Sequence, residues 1–79
     1  SPAFRKKLSE AIDLMVDAYS QVLAAAQNDG KILKNLDIRE TASFIIASWH
    51  GAVIQMKLAQ SLDPLRIHRK FVFDHLLKK

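Results

Sequence analysis

Three histidines are the residues of this 79-residue chain best suited to metal or proton chemistry, and no cysteine accompanies them. His68 and His75 stand seven apart, so on a helix they share a face two turns from each other. Two histidines chelate one ion from a single helix at i, i+4 spacing, so this pair needs a site across a symmetry axis to meet on a metal. The plainer reading makes them polar residues at a surface or interface, with no metal and no cofactor. His50 reads as a hydrogen-bonding residue on the rim of an apolar face. Asp13 and Asp17 lie one turn apart on a solvated helix face. No carboxylate pair falls in an apolar run, and no Ser/His/Asp set has an elbow-like context, so the chain does not read as an enzyme. Basic residues occur as Arg5-Lys6-Lys7, as Arg66 with Arg69-Lys70, and as Lys78-Lys79. These groups are short and lack the interleaved aromatics of a single-strand binder, and a net charge of +4 is weak evidence for a nucleic-acid partner. Met15, Tyr19, Trp49 and Met56 remain. Their soft, polarisable or flat side chains suit an adaptable wall for an apolar small molecule, and equally suit plain core packing.

These residues need elements to hold them, and the composition names the kind. Leu, Ile, Val and Phe make up 25 of the 79 residues, too many for a disordered chain. Two Gly and two Pro are too few for the turns of a sandwich or barrel, and no phosphate-cradling glycine loop is present. The longest run without Lys, Arg, Asp or Glu, Thr41 to Met56, is shorter than the ~20 residues of a membrane span. No signal peptide is seen, because the chain opens Ser-Pro-Ala-Phe and turns charged at once; the missing initiator Met reads as a piece of a longer protein.

Three helices are predicted, over about residues 3–28, 37–60 and 64–77. On the first, Phe4, Leu8, Ala11, Ile12, Met15, Tyr19, Val22, Leu23 and Ala26 fall on one stripe, while Ser9, Asp13, Asp17 and Ser20 fall opposite. Asn28-Asp29-Gly30 reads as its stop, with Gly30 a left-handed cap. Ile32, Leu33 and Leu36 are expected to plug the short connection. Asp37 to Glu40 reads as a capping box, in which each residue bonds the other's backbone. Asp63 reads as the N-cap of the third helix, with Pro64 at its first position. The fold class is all-α, a three-helix antiparallel arrangement.

The middle helix is apolar on two sides. Ile38, Ala42, Ile45, Ile46, Trp49, Ala52, Val53 and Met56 form one face; Phe44, Ala47, Gly51, Ile54 and Leu58 form a second, roughly opposite. A surface helix of a monomer needs one stripe. The second face therefore points to a contact outside this chain, either a second copy or missing elements of a longer protein, or else to burial between the two neighbouring helices. A chain this short buries only ~60% of the surface its unfolded form exposes, so association is the obvious staple.

The run Glu40-Thr41-Ala42-Ser43-Phe44-Ile45-Ile46-Ala47-Ser48-Trp49-His50-Gly51-Ala52-Val53 resembles the penultimate long helix of TetR-family transcriptional regulators. Ala24-Ala25-Ala26-Gln27-Asn28-Asp29-Gly30-Lys31-Ile32 resembles that family's exit from the preceding helix, and Pro64-Leu65 with Phe71-Val72-Phe73-Asp74-His75-Leu76-Leu77 resembles its final helix. His50 departs from the Gln or Glu that often precedes the glycine. The resemblance implies that residues 1–79 form a C-terminal effector-binding and dimerisation domain of a cytoplasmic repressor. It implies that the last two helices form a four-helix bundle across a homodimer, and that an N-terminal helix-turn-helix, absent from this chain, binds operator DNA. On that basis the two-fold contact is expected to use Phe44, Ala47, Gly51, Ile54 and Leu58 with Ile67 and Phe71 flanking, and a small apolar effector to sit against Met15, Tyr19, Trp49 and Met56. A generic helical module that docks a different protein is the alternative. The chain by itself is not expected to bind DNA specifically.

Overall fold

A computed structural model describes residues 1–79 and contains helices joined by short loops, with no strand. α1 spans Pro2–Asn28, α2 Ile38–Ala59 and α3 Asp63–Phe71, and α3 runs on into a π-helical turn over Val72–Leu76. α2 lies between the other two, packing against both. The helices form a slab of 41 × 31 × 14 Å. Its radius of gyration is 14.2 Å, against about 12 Å for a compact domain of this length. A layer little thicker than one helix has two open faces, and only 10 of the 79 residues are buried.

The buried line of α1 is Val16 and Leu23, with Ile12, Met15, Tyr19 and Ala26 packed beside it. This corrects the stripe read from the periodicity. Val16 is inside and Ser20 is half-buried, whereas Phe4, Leu8 and Val22 are 66%, 49% and 67% exposed. The apolar arc of α1 is wider than its contact with α2, so the helix turns its Val16 edge inward and leaves the other edge bare. An Arg39–Asp17 pair at 2.6 Å ties α2 to α1 at the surface, and the hydrogen bond and charge of Asp17 raise the Arg39 pKa.

Gly30 ends α1 in the left-handed region at φ 72°, and the Lys31 N–H donates to the Ala26 carbonyl at 2.9 Å, closing the helix as expected. Ile32 is buried under the connection, with Leu33 and Leu36 half-buried. The Gln27 amide holds this loop from the side: its Nε2 lies 3.1, 3.0 and 3.1 Å from the carbonyls of Leu33, Lys34 and Leu36. Asp37 caps α2 by accepting from the Glu40 N–H at 2.9 Å. Only that half of the expected capping box forms, since the exposed Glu40 side chain does not return the bond.

α2 closes on Gln60, held at φ 52° and ψ 45°. A side chain in the left-handed region is strained where glycine is not. Gln60→Gly is therefore expected to stabilise the chain by about 0.5–1 kcal/mol, seen as a rise in the melting temperature. α3 starts one residue earlier than read from Pro64. Leu62 takes the cap position without a side-chain bond, the Ser61 hydroxyl accepts from the Asp63 N–H at 3.1 Å, and Asp63 turns to Arg66 at 3.3 Å.

The last helix does not continue as α to residue 77. The Leu77 N–H reaches back five residues to the Val72 carbonyl at 2.9 Å. In an α-helix, residues five apart point well away from each other. The wider π turn brings Val72 and Leu77 to one side, and both are buried at 4% exposure.

Candidate functional site

The two faces of α2 meet different surroundings. On the first, Ala42, Ile45, Ile46 and Ala52 are buried, and α1 and α3 rise beside it as walls. Between those walls lies an open cleft of about 470 Å³. Met15 and Tyr19 reach it from α1, Ile45, Ile46 and Trp49 from α2, and Leu65, His68, Arg69, Val72 and Phe73 from α3 and its π turn.

Of the residues singled out as wall candidates, the cleft brings together Met15, Tyr19 and Trp49. Met56 is not part of it. Seven residues beyond Trp49, it lies two turns along α2 and is half-buried there. Trp49 is 42% exposed, so the cleft is open at the indole. The contribution of α3 was missed. Leu65, His68, Arg69 and Val72 follow i, i+3, i+4, i+7 spacing, a single helix face that periodicity was able to reveal.

His68 does not face free solvent. Its Nε2 lies 2.8 Å from Ser48 Oγ, tying α3 to α2. The Ser48 hydroxyl has one proton and sits 2.7 Å from the Phe44 carbonyl and 3.2 Å from that of Ile45. With that proton spent on the backbone, Ser48 Oγ accepts and His68 Nε2–H donates. The His75 ring lies tilted by 32° against Phe71, with centroids 4.9 Å apart, and the His50 ring lies tilted by 58° against Trp49 at 5.3 Å. No group of three or more His, Asp or Glu side chains converges in metal-holding geometry.

The second face of α2 is bare. Phe44 and Ile54 are each 60% exposed and Leu58 is 82% exposed, with Ala47 and Gly51 open between them. Phe71 of α3, 55% exposed, continues the same apolar surface, and Ile67, one helical turn before it, is 46% exposed. A groove of about 460 Å³ runs between α2 and α3 here, with Phe44, Phe71, His75 and Leu76 on its sides. His68 and Val72 line both this groove and the cleft, so they form the partition between them. No helix is long and apolar enough to cross a membrane.

The family described as tetracyclin repressor-like, C-terminal domain, matches residues 1–72. The HTH-type transcriptional repressor DhaR of Mycobacterium sp. (strain GP1) is 31% identical over 77 residues, a stretch that takes in 98% of this chain. The aligned stretch makes up 39% of that relative's own length. No solved structure matches the chain.

Proposed function

The chain belongs to the tetracyclin repressor-like C-terminal domain family, and from that premise we propose that it is the dimerisation and effector-sensing part of a DNA-binding transcriptional repressor. The observation that carries the dimer is Gly51. A glycine inside an exposed helix costs about 1 kcal/mol relative to alanine. A Cβ at this position would meet nothing within 4 Å in the same subunit, so the subunit gains nothing from its absence. What a missing side chain allows is the close approach of another helix, and Ala47 one turn earlier widens the same gap. Bulky Phe44, Ile54 and Leu58 around that small centre make a patch that is complementary to itself, as a two-fold contact requires. With α3 flanking, two copies would bury on the order of 1,500 Å² in total, within the range of stable interfaces.

The sensing role rests on the cleft. It is concave and mostly apolar, it carries a few convergent polar groups, and its volume is in the range of small-molecule sites. The reaction of a bound molecule is not part of this reading. The cleft would serve binding, and the shared partition at His68 and Val72 lies between the binding wall and the dimer face. Operator recognition would belong to a helix-turn-helix of the full protein, the type of DNA-binding element for which the HTH-type repressor DhaR is named.

Sedimentation equilibrium tests the dimer. The expected result is a homodimer at micromolar concentration, with a melting temperature that rises with protein concentration. A chain monomeric at high micromolar concentration overturns it. A chain that associates only with a foreign helix supports the alternative of a heterotypic docking module.

A further inference from the structure

The cleft offers hydrogen-bond donors and one cationic side chain, and no carboxylate. Its lining contains no Asp or Glu; its ionisable or donor-bearing members are Tyr19, Trp49, His68 and Arg69. Arg69 is free of any carboxylate within 4.0 Å, because the ion pairs of the chain are Arg39–Asp17 and Arg66–Asp63. It also borders the neighbouring depression, where Arg66 and Lys70 stand with it against a single acidic residue, Asp74. The cleft thus has an apolar interior and a cationic rim. A charged group taken into such an interior loses its hydration without compensation, whereas an apolar tail gains by entering. At the rim, an anion meets an unpaired guanidinium whose planar fork matches a carboxylate in two parallel hydrogen bonds.

We propose that the cleft takes an amphiphilic carboxylate, its tail against Met15, Trp49 and the α2 wall and its acid head on Arg69 at the rim. This rests on the reading of the cleft as a ligand site and adds the chemical class of the ligand. His68 stands one residue before Arg69 in the same lining, so a bound head lies beside the side chain that bonds Ser48 across the partition. One unpaired guanidinium compensates one negative charge, which selects a monoanion over a neutral or cationic molecule of the same length.

The test uses three probes of matched chain length, decanoate, decanol and decylamine, titrated into the chain below the micelle-forming concentrations of the two ions and the solubility limit of the alcohol. Trp49 is the only tryptophan, so a saturable change in its emission reports the cleft. Decanoate is expected to bind about tenfold or more tighter than decanol, with decylamine weakest. Arg69→Gln is expected to remove the preference for decanoate while leaving decanol affinity unchanged. Arg66→Gln, whose parent side chain is engaged by Asp63 and lies outside the cleft, is expected to keep the preference. If decanol binds as tightly as decanoate, or if Arg69→Gln retains the preference, the assignment of the head group is wrong while the cleft remains a ligand site. If none of the three moves Trp49 emission and circular dichroism shows the helices intact, the cleft is not a ligand site and both readings fall.

Discussion

Gly51→Arg is expected to convert the proposed dimer into monomers without harming the individual subunit. Within the subunit the substitution is favourable on two counts. Nothing stands within 4 Å of a new Cβ, and replacing an exposed helical glycine by arginine recovers about 0.7–1 kcal/mol of helix propensity. At the proposed crossing the same side chain places a charge where two backbones approach, with no acidic residue on that face of α2 to receive it. Leaving a buried charge unpaired costs about 3–5 kcal/mol, which corresponds to a loss of about 150-fold to several thousandfold in association. The wild-type melting temperature should depend on protein concentration, and that of the variant should not. At high concentration the variant melts lower, because it lacks the stabilisation that association lends to a thin slab with ten buried residues. Trp49→Phe alters the opposite face and should leave the dimer intact. Sedimentation of the two variants separates the faces. A dimeric Gly51→Arg beside a monomeric Trp49→Phe would mean that the partner meets the cleft side of α2 instead.

Leu23→Ala is expected to carry the largest cost of any truncation on α1. Leu23 is 3% exposed and belongs to the one cluster of buried residues that joins α1, the loop, α2 and the C-terminal turn. Removing its three distal carbons loses their transfer free energy and leaves a cavity, a cost of about 2–5 kcal/mol. A chain of this size has only about 4–12 kcal/mol of stability in all. The melting temperature should fall by roughly 10–40 °C at fixed protein concentration. The adjacent Val22 provides the control. It is 67% exposed, so Val22→Ala should shift stability by no more than about 0.5 kcal/mol. Both residues fall on the apolar stripe read from the periodicity, and thermal melts of the pair tell which edge of that stripe the core uses. Equal losses in the two variants would mean that Val22 is covered by something outside this subunit.

Much of the fold is legible in local signals. Gly30 and Asp37 mark their helix ends through backbone chemistry that involves only near neighbours, and the structure keeps both. The two apolar faces of α2 follow from spacing alone, because residues three and four apart on a helix must share a side. The nature of the cleft wall was partly legible for the same reason, in Met15, Tyr19 and Trp49. What was not legible depends on packing angles that no local pattern encodes. Periodicity shows how wide the apolar arc of α1 is but not which edge α2 covers, so Val16 went unrecognised and Phe4, Leu8 and Val22 were misplaced. The π turn over Val72–Leu76 has no local signature; it arises because Val72 and Leu77 both find a buried place against α2 and the loop. Arg69 and His68 read as solvated polar residues until α3 is docked, and only that docking sets one beside the cleft and the other on Ser48. Residue types and spacing along each helix were determined by the sequence itself. Which faces are covered, and which polar groups meet across helices, was decided by the tertiary structure, because a side chain's neighbours from other elements exist only once those elements have packed.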